Sequence, residues 1–156
     1  MSQSPLGGYQ REAWLASFLA LVPGHMTTMP LPDAQLQSLS PLALAYIGDA
    51  VYELFVRSHY LVPPTRIRTY HGNVVHHVRA EQQAHYLQLL KPYLTEAEAD
   101  ITRRGRNAAS SRKQRANTYD YQQATGLEAL IGYLYLTNPQ RLLEILSYLP
   151  LAQQES

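Results

Sequence analysis

The stretch Ser40–Tyr60, SPLALAYIGDAVYELFVRSHY, decides how this chain folds. Ser40 is a strong N-cap, and Pro41 suits the first helical turn, where a missing N–H costs nothing. Between Leu42 and Val56 only Asp49 and Glu53 carry charge. A helix so apolar on every side is expected to be buried. Asp49 and Glu53 are four residues apart and share a face with Ala45, Gly48, Tyr52 and Val56. Small residues beside a carboxylate admit a close neighbour: a second helix, a metal ion or a ligand. A carboxylate left alone on a buried helix is costly, so Asp49 requires a partner.

On the N-terminal side, Gln10–Val22 has helical spacing with Trp14, Phe18 and Leu21 on one stripe, and the proline-bearing run Pro23–Gln37 reads as a loop. On the other side, Pro63-Pro64 forces a break. Thr65–Leu90 is predicted helical with an interruption near Gly72, and Lys91-Pro92 ends it. Thr95, Glu96 and Glu98 form a helix-start signature. That short helix is expected to stop near Gly105, leaving Arg106–Asn117 as a loop. Thr118 or Asp120 caps a further helix to about Thr137, and Asn138-Pro139 separates it from a last helix over Gln140–Leu149. No strand pattern competes, so the expected class is all-α. Residues 1–39 form a lead-in, 40–149 a single helical domain, and 150–156 a tail.

With 156 residues, 46% of them hydrophobic, the chain can bury one substantial core. It contains no cysteine, which excludes disulfides and thiolate metal sites. The N-terminus lacks a signal-peptide charge pattern, and no run approaches the roughly 18 apolar residues of a membrane span. A soluble, cytoplasmic protein with no membrane partner is the expectation. Six histidines offer no metal-binding spacing: His76-His77 are adjacent, and nothing matches HExxH. Nucleotide-binding and serine-hydrolase motifs are also absent.

Tyr121–Leu136, YQQATGLEALIGYLYL, repeats the opening theme with Glu128 as its one charged residue. Tyr121, Ala124, Thr125, Gly132 and Tyr135 lie on the Glu128 stripe. Two such helices can pack so that Asp49 and Glu128 converge. Each acid is then either paired with an arginine or a helix N-terminus as a structural ion pair, or both serve as oxygen ligands for a hard cation such as magnesium. Just before this helix, Arg103, Arg104, Arg106, Arg112, Lys113 and Arg115 gather six of the thirteen Lys/Arg within thirteen residues and without an acid. The remaining seven basic residues face twelve acids, a net of −5 that the overall +1 conceals. Arginine forks suit phosphate oxygens, so the segment reads as a footprint for a polyanion, against the plainer alternative of a solvated charge run. Arg66 and Arg68 can extend the same surface.

LALAYIGDAVYEL, RRGRNA at Arg103–Ala108 and ATGLEALIGYLYL at Ala124–Leu136 resemble, in that order, motifs of the ribonuclease III family, and specifically its Mini-ribonuclease III branch. The resemblance runs from about Ser40 to Leu149. It implies an all-α endoribonuclease that works as a symmetric homodimer without a separate double-stranded-RNA-binding domain. It also implies magnesium-dependent cleavage of double-stranded RNA, with the large-subunit (23S) ribosomal RNA precursor as substrate. By position, the catalytic and metal-binding acids are Asp49 and Glu128, with Glu53 as a further metal candidate. RNA-binding candidates are Arg104, Arg106, Asn107, Arg112, Lys113, Arg115, Arg66 and Arg68. Two acids of ordinary ribonuclease III are replaced, by Ala45 and Thr125, as in the Mini branch. That branch's lysine after Arg-Asn-Ala is Ala109 here, for which Arg112, Lys113 or Arg115 can substitute. The competing class is a non-catalytic RNA-binding ribosome-assembly factor on the same fold, and a protein-only scaffold fits the arginine cluster poorly.

Overall fold

The computed structural model describes residues 31–110 and 118–151. The helix expected over Gln10–Val22, and Arg112, Lys113 and Arg115, lie outside the described residues. Within them the chain forms helices α1 (Asp33–Ser38), α2 (Pro41–Tyr60), α3 (Ile67–Val78) and α4 (Ala80–Leu90). A 3-10 turn (Lys91–Tyr93) follows, then α5 (Glu96–Ser110), α6 (Thr118–Thr137) and α7 (Pro139–Ser147). No strand occurs among the described residues, as the all-α reading requires.

Local chemistry sets several helix starts. The Ala43 N–H donates to Ser40 Oγ at 3.1 Å, with Pro41 in the first turn of α2. Thr95 and Glu98 form a reciprocal capping box at α5: the Glu98 N–H donates to Thr95 Oγ1 (3.2 Å), and the Thr95 N–H to Glu98 Oε2 (2.9 Å). Asn138 caps α7 by accepting from the Arg141 N–H at 3.1 Å. Arg141 then reaches back to Glu98 (Nε to Oε1, 2.8 Å) and to the Tyr93 carbonyl (2.8 Å), locking α7 to the start of α5.

Helix α6 is the hub, packed against α2, α5, α4 and α7 and buried around its circumference from Gln123 to Leu134. The expectation that α2 is buried on all sides is corrected. It buries Leu44, Val51, Tyr52, Phe55 and Val56, but Tyr46 is 86% exposed and Asp49, Ala50 and Leu54 also face outward. Its apolar residues outnumber the sites that α6 and α3 can cover.

Glycines explain two further departures. Gly105 does not end α5, which continues to Ser110. A Cβ built at Gly105 would lie 2.8 Å from Ala129 Cβ and 3.1 Å from Gly126 Cα, so Gly105 is where α5 crosses α6 rather than a C-cap. Nor does Gly72 interrupt α3. It is exposed, with nothing within 4 Å of a built Cβ, and the break falls at Arg79, in extended backbone between α3 and α4. The proline-rich run before Ser40, expected as loop, contains the short helix α1 within its described part.

Three tyrosines surround the junction of α3 and α4. The imidazole of buried His77 meets the Tyr60 hydroxyl at Nε2 (2.6 Å) and the Tyr86 hydroxyl at Nδ1, while Tyr52 donates to the His77 carbonyl (2.7 Å). Burial, then His76 and His59, push the imidazole pKa down to about 4. A neutral ring suits one donor and one acceptor nitrogen. Unfolded His77 takes a proton below about 6.5 that the folded ring refuses until about pH 4. Stability is therefore full above 6.5 and falls as pH drops through that window, by roughly 2 kcal/mol once solvent at the cluster is allowed for. NMR should show a His77 ring that stays neutral from pH 7.5 to 5. A ring titrating near 6.5 would contradict the assignment.

Candidate active site

The acids meet because two glycines let α2 and α6 touch through their backbones. A Cβ at Gly48 would lie 1.7 Å from the Glu128 carbonyl oxygen, and one at Gly132 would lie 2.0 Å from the Leu44 carbonyl oxygen. Neither side chain is sterically admissible, so the crossing exists only with hydrogen at both positions. Asp49 follows Gly48 directly and Glu128 is the residue that Gly48 abuts. One contact thus fixes both carboxylates on the same rim.

The electrostatics register that convergence. Burial first, then the charges of Asp49 and Glu53, push the half-buried Glu128 carboxyl up to about 8, against an opposing hydrogen bond from Gln83. Asp49 is exposed as a residue, yet water withheld from its carboxyl and the charge of Glu53 raise its pKa. Burial, with Glu128 among the smaller contributors, also raises the phenol of Tyr52 beneath the site. Among the described residues neither Asp49 nor Glu128 has an ion-pair partner. Glu53, by contrast, holds Arg57 Nη2 at 2.7 Å one turn along α2.

Like charges brought together with no counter-charge among the described residues suit a hard divalent cation, and carboxylate oxygens are its preferred donors. Among the described residues no three or more His, Cys, Asp or Glu side chains converge as a complete cage. An ion held by Asp49 and Glu128 would retain open positions for water and substrate oxygens. The replaced acid positions do not supplement the set. Ala45 is buried among Leu44 and Ala129 at the crossing, and Thr125 donates its hydroxyl within α6, to the Tyr121 carbonyl at 2.9 Å.

The basic candidates divide. Arg104 and Asn107 are exposed on α5, and Arg66 and Arg68 are exposed where α3 begins. Arg103 is bonded to Asp100, so the charge run is partly neutralised by an acid just ahead of it. Arg106 is half-buried: its Cγ lies 2.8 Å from a Cβ built at Gly126, and its Nε has no partner among the described residues. Its stem fills the α5–α6 notch. Ala109 is buried at the same interface, so that position does not present a side chain to solvent. Sequence reading missed Gln83 altogether. From α4 it opposes the rise of the Glu128 pKa, a long-range influence with no local signal.

Residues 42–139 match the family model described as the Ribonuclease III domain. The chain is 55% identical over 126 residues to the Mini-ribonuclease 3 of Thermosynechococcus vestitus, covering 81% of this chain and 83% of that protein. It is 56% identical over 122 residues to the Mini-ribonuclease 3 of a Synechocystis species, covering 78% and 85%. An X-ray crystal structure of a Fusobacterium nucleatum protein has the same fold, with a TM-score of 0.64 and 30% identity, covering 71% of this chain and 92% of that one. The match spans both acid-bearing helices and the crossing between them: this chain belongs to the ribonuclease III family, in the branch of the Mini-ribonuclease 3 proteins, and is an endoribonuclease.

Proposed function

We propose that this endoribonuclease cleaves double-stranded RNA with magnesium held by Asp49 and Glu128, as a cytoplasmic homodimer acting on the large-subunit (23S) ribosomal RNA precursor. The observation that carries the reading is the pair of carboxylates, without an ion-pair partner among the described residues, that the Gly48–Gly132 crossing brings to one rim. When bound, magnesium supplies positive charge that lowers the pKa of an attacking water and offsets charge developing on the phosphate. Glu128, whose carboxyl burial and the Asp49 charge push up to about 8, would have to give up its proton to hold the ion. Asp49, on the exposed side, completes the pair where a phosphate can approach. Glu53 adds negative charge nearby while its Oε2 holds Arg57. No helix among the described residues is long and apolar enough to cross a membrane.

Arg104, Arg106 and Asn107 on α5, the following Arg112, Lys113 and Arg115, and Arg66 and Arg68 on α3 grip phosphates of the A-form duplex, whose shape is read more than its sequence. Replacing Arg112, Lys113 and Arg115 by alanine should flatten the log–log salt dependence of RNA binding by roughly 0.9 per lost phosphate contact, with little change in thermal stability. An unchanged slope would assign these three to solvent.

The outward face of α2, with Tyr46 and Leu54 exposed beside Asp49, is the surface for a second subunit. Sedimentation at micromolar concentration should give the dimer mass, and Tyr46→Arg should shift it toward monomer. A wild-type monomer that still cuts both strands would overturn the symmetric arrangement. The function itself is tested by incubating pure protein with duplex and single-stranded RNA, with magnesium and with chelator. Magnesium-dependent cleavage of the duplex is expected. Binding without cleavage would instead leave a non-catalytic RNA-binding factor.

A further inference from the structure

Helix α3 is attached to the core by few residues. It buries only Val74 and His77, with Tyr70 and Val78 half-buried beside them. Ile67, Arg68, His71, Gly72, Val75 and His76 face outward. Asn73 Nδ2 is enclosed with no hydrogen-bond partner among the described residues, which makes the docked position costlier. Non-helical backbone bounds the helix on both sides, at residues 61–66 and at Arg79. Tyr70 donates to the Arg57 carbonyl of α2 at 2.7 Å. Three further hydrogen bonds meet at His77, with Tyr52 and Tyr60 of α2 and with Tyr86 of α4. The Tyr60 and Tyr86 rings lie 16° and 9° from the imidazole plane, with their hydroxyls on its two nitrogens.

That arrangement needs a neutral imidazole, one nitrogen donating and the other accepting. An added proton turns the accepting nitrogen into a donor, and the hydroxyl that donated to it loses its acceptor. The ring meets Tyr52, Tyr60 and His59 from α2, His76 from its own helix and Tyr86 from α4. His59 and His76 oppose a positive charge there, and no carboxylate is among the groups that act on the ring. At the α3–α4 junction, Arg79 donates to His76 Nδ1 (3.0 Å) and Glu81 is exposed. We propose that His77 is an acid-sensitive latch: when its ring takes a proton, α3 leaves α2 and α4 while α6 and the helices packed on it stay folded. The non-helical joints at 61–66 and Arg79 absorb the motion. Arg68 lies on α3 and Arg66 at its N-cap, so release displaces two of the basic residues proposed to grip RNA. The release itself does not rest on that role and is tested without RNA.

The test is amide hydrogen exchange on the full chain in chelator at pH 7.5 and 5, corrected for the intrinsic exchange rate at each pH. Wild type is compared with His77→Gln, which keeps a donor and an acceptor but takes no proton, and with His77→Phe, a ring without either. In the released helix the imidazole titrates near its ordinary 6.5, and in the docked one near 4. Acidification to pH 5 should therefore favour release by roughly tenfold or more. Wild-type α3 amides should lose protection by that factor, and the α6 amides, which exchange through wider opening, should not follow. In both variants the protection of α3 should be independent of pH. Wild-type α3 equally protected at both pH values would overturn the proposal, as would α3 and α6 losing protection together. A loss that persists in His77→Gln and His77→Phe would assign the effect to another group and overturn it too.

Discussion

Glu128→Gln should end cleavage and yet make the metal-free protein more resistant to heat at alkaline pH. In the unfolded chain this carboxyl ionises near 4.5; in the folded protein it holds its proton to about 8. The unfolded state therefore loses the proton first, and stability falls as pH rises from about 4.5 to about 8. The whole shift corresponds to nearly 5 kcal/mol, which solvent at a half-buried site reduces to roughly 2–3 kcal/mol. Glutamine keeps the shape and removes the charge. At pH 8.5 its melting temperature should exceed wild type by several degrees, while at pH 5 the two should nearly coincide. Cleavage should drop by roughly a thousandfold or more, the scale of losing about 4 kcal/mol of charge stabilisation at the phosphate. Asp49→Asn should lose activity to the same extent. It should also lower the Glu128 pKa, because one of the charges that raises it is gone. Near-normal turnover by either variant would remove that residue from the catalytic role.

Gly48→Ala should be the most damaging single methyl group in the molecule. Alanine is ordinarily favoured over glycine inside a helix by about 1 kcal/mol. Here its Cβ would sit 1.7 Å from the Glu128 carbonyl oxygen and 2.8 Å from the Gly132 nitrogen, both backbone atoms that no rotamer can move aside. The two helices must separate, and the net loss should be roughly 3 kcal/mol or more. Any folded fraction should show weakened magnesium binding, because the acids part with the helices. Gly72→Ala is the internal contrast. Nothing lies within 4 Å of its built Cβ, so ordinary helix propensity decides and the change should stabilise by roughly 0.5–1 kcal/mol. Thermal melts of the two variants check both signs. A Gly48→Ala protein as stable as wild type would refute the backbone crossing.

Much of the fold was legible because its signals are local. Ser40, Thr95 and Asn138 cap within three residues of themselves, and each does so in the structure. The misreadings came from residues whose meaning is set by a distant partner. Gly105 has the appearance of a helix stop, but it is a helix-crossing glycine because Gly126 and Ala129 press against it. Continuing α5 to Ser110 moves Arg106 and Asn107 from a loop onto a helix. Gly72 carries no such partner, and the real break waits for Arg79. The apolar composition of α2 suggested burial on every side, whereas α6 occupies the centre and leaves a face of α2 open with Asp49 on it. The strain therefore falls on Glu128, the acid nearer the hub. Proximity of the two acids could be suspected from their small neighbours. The pairing of Gly48 with Gly132 that enforces it required the tertiary structure.

The proposed cation site at Asp49 and Glu128 is open to proton counting on magnesium binding. Calorimetric titrations at pH 7 in two buffers of different ionisation enthalpy give the number of protons released. With the Glu128 carboxyl near 8, it is mostly protonated at pH 7 and must ionise to bind. Release of about one proton per ion is expected at pH 7, falling toward none at pH 9 and abolished by Glu128→Gln. Magnesium binding with no proton released at pH 7, or with a release that survives Glu128→Gln, would contradict it.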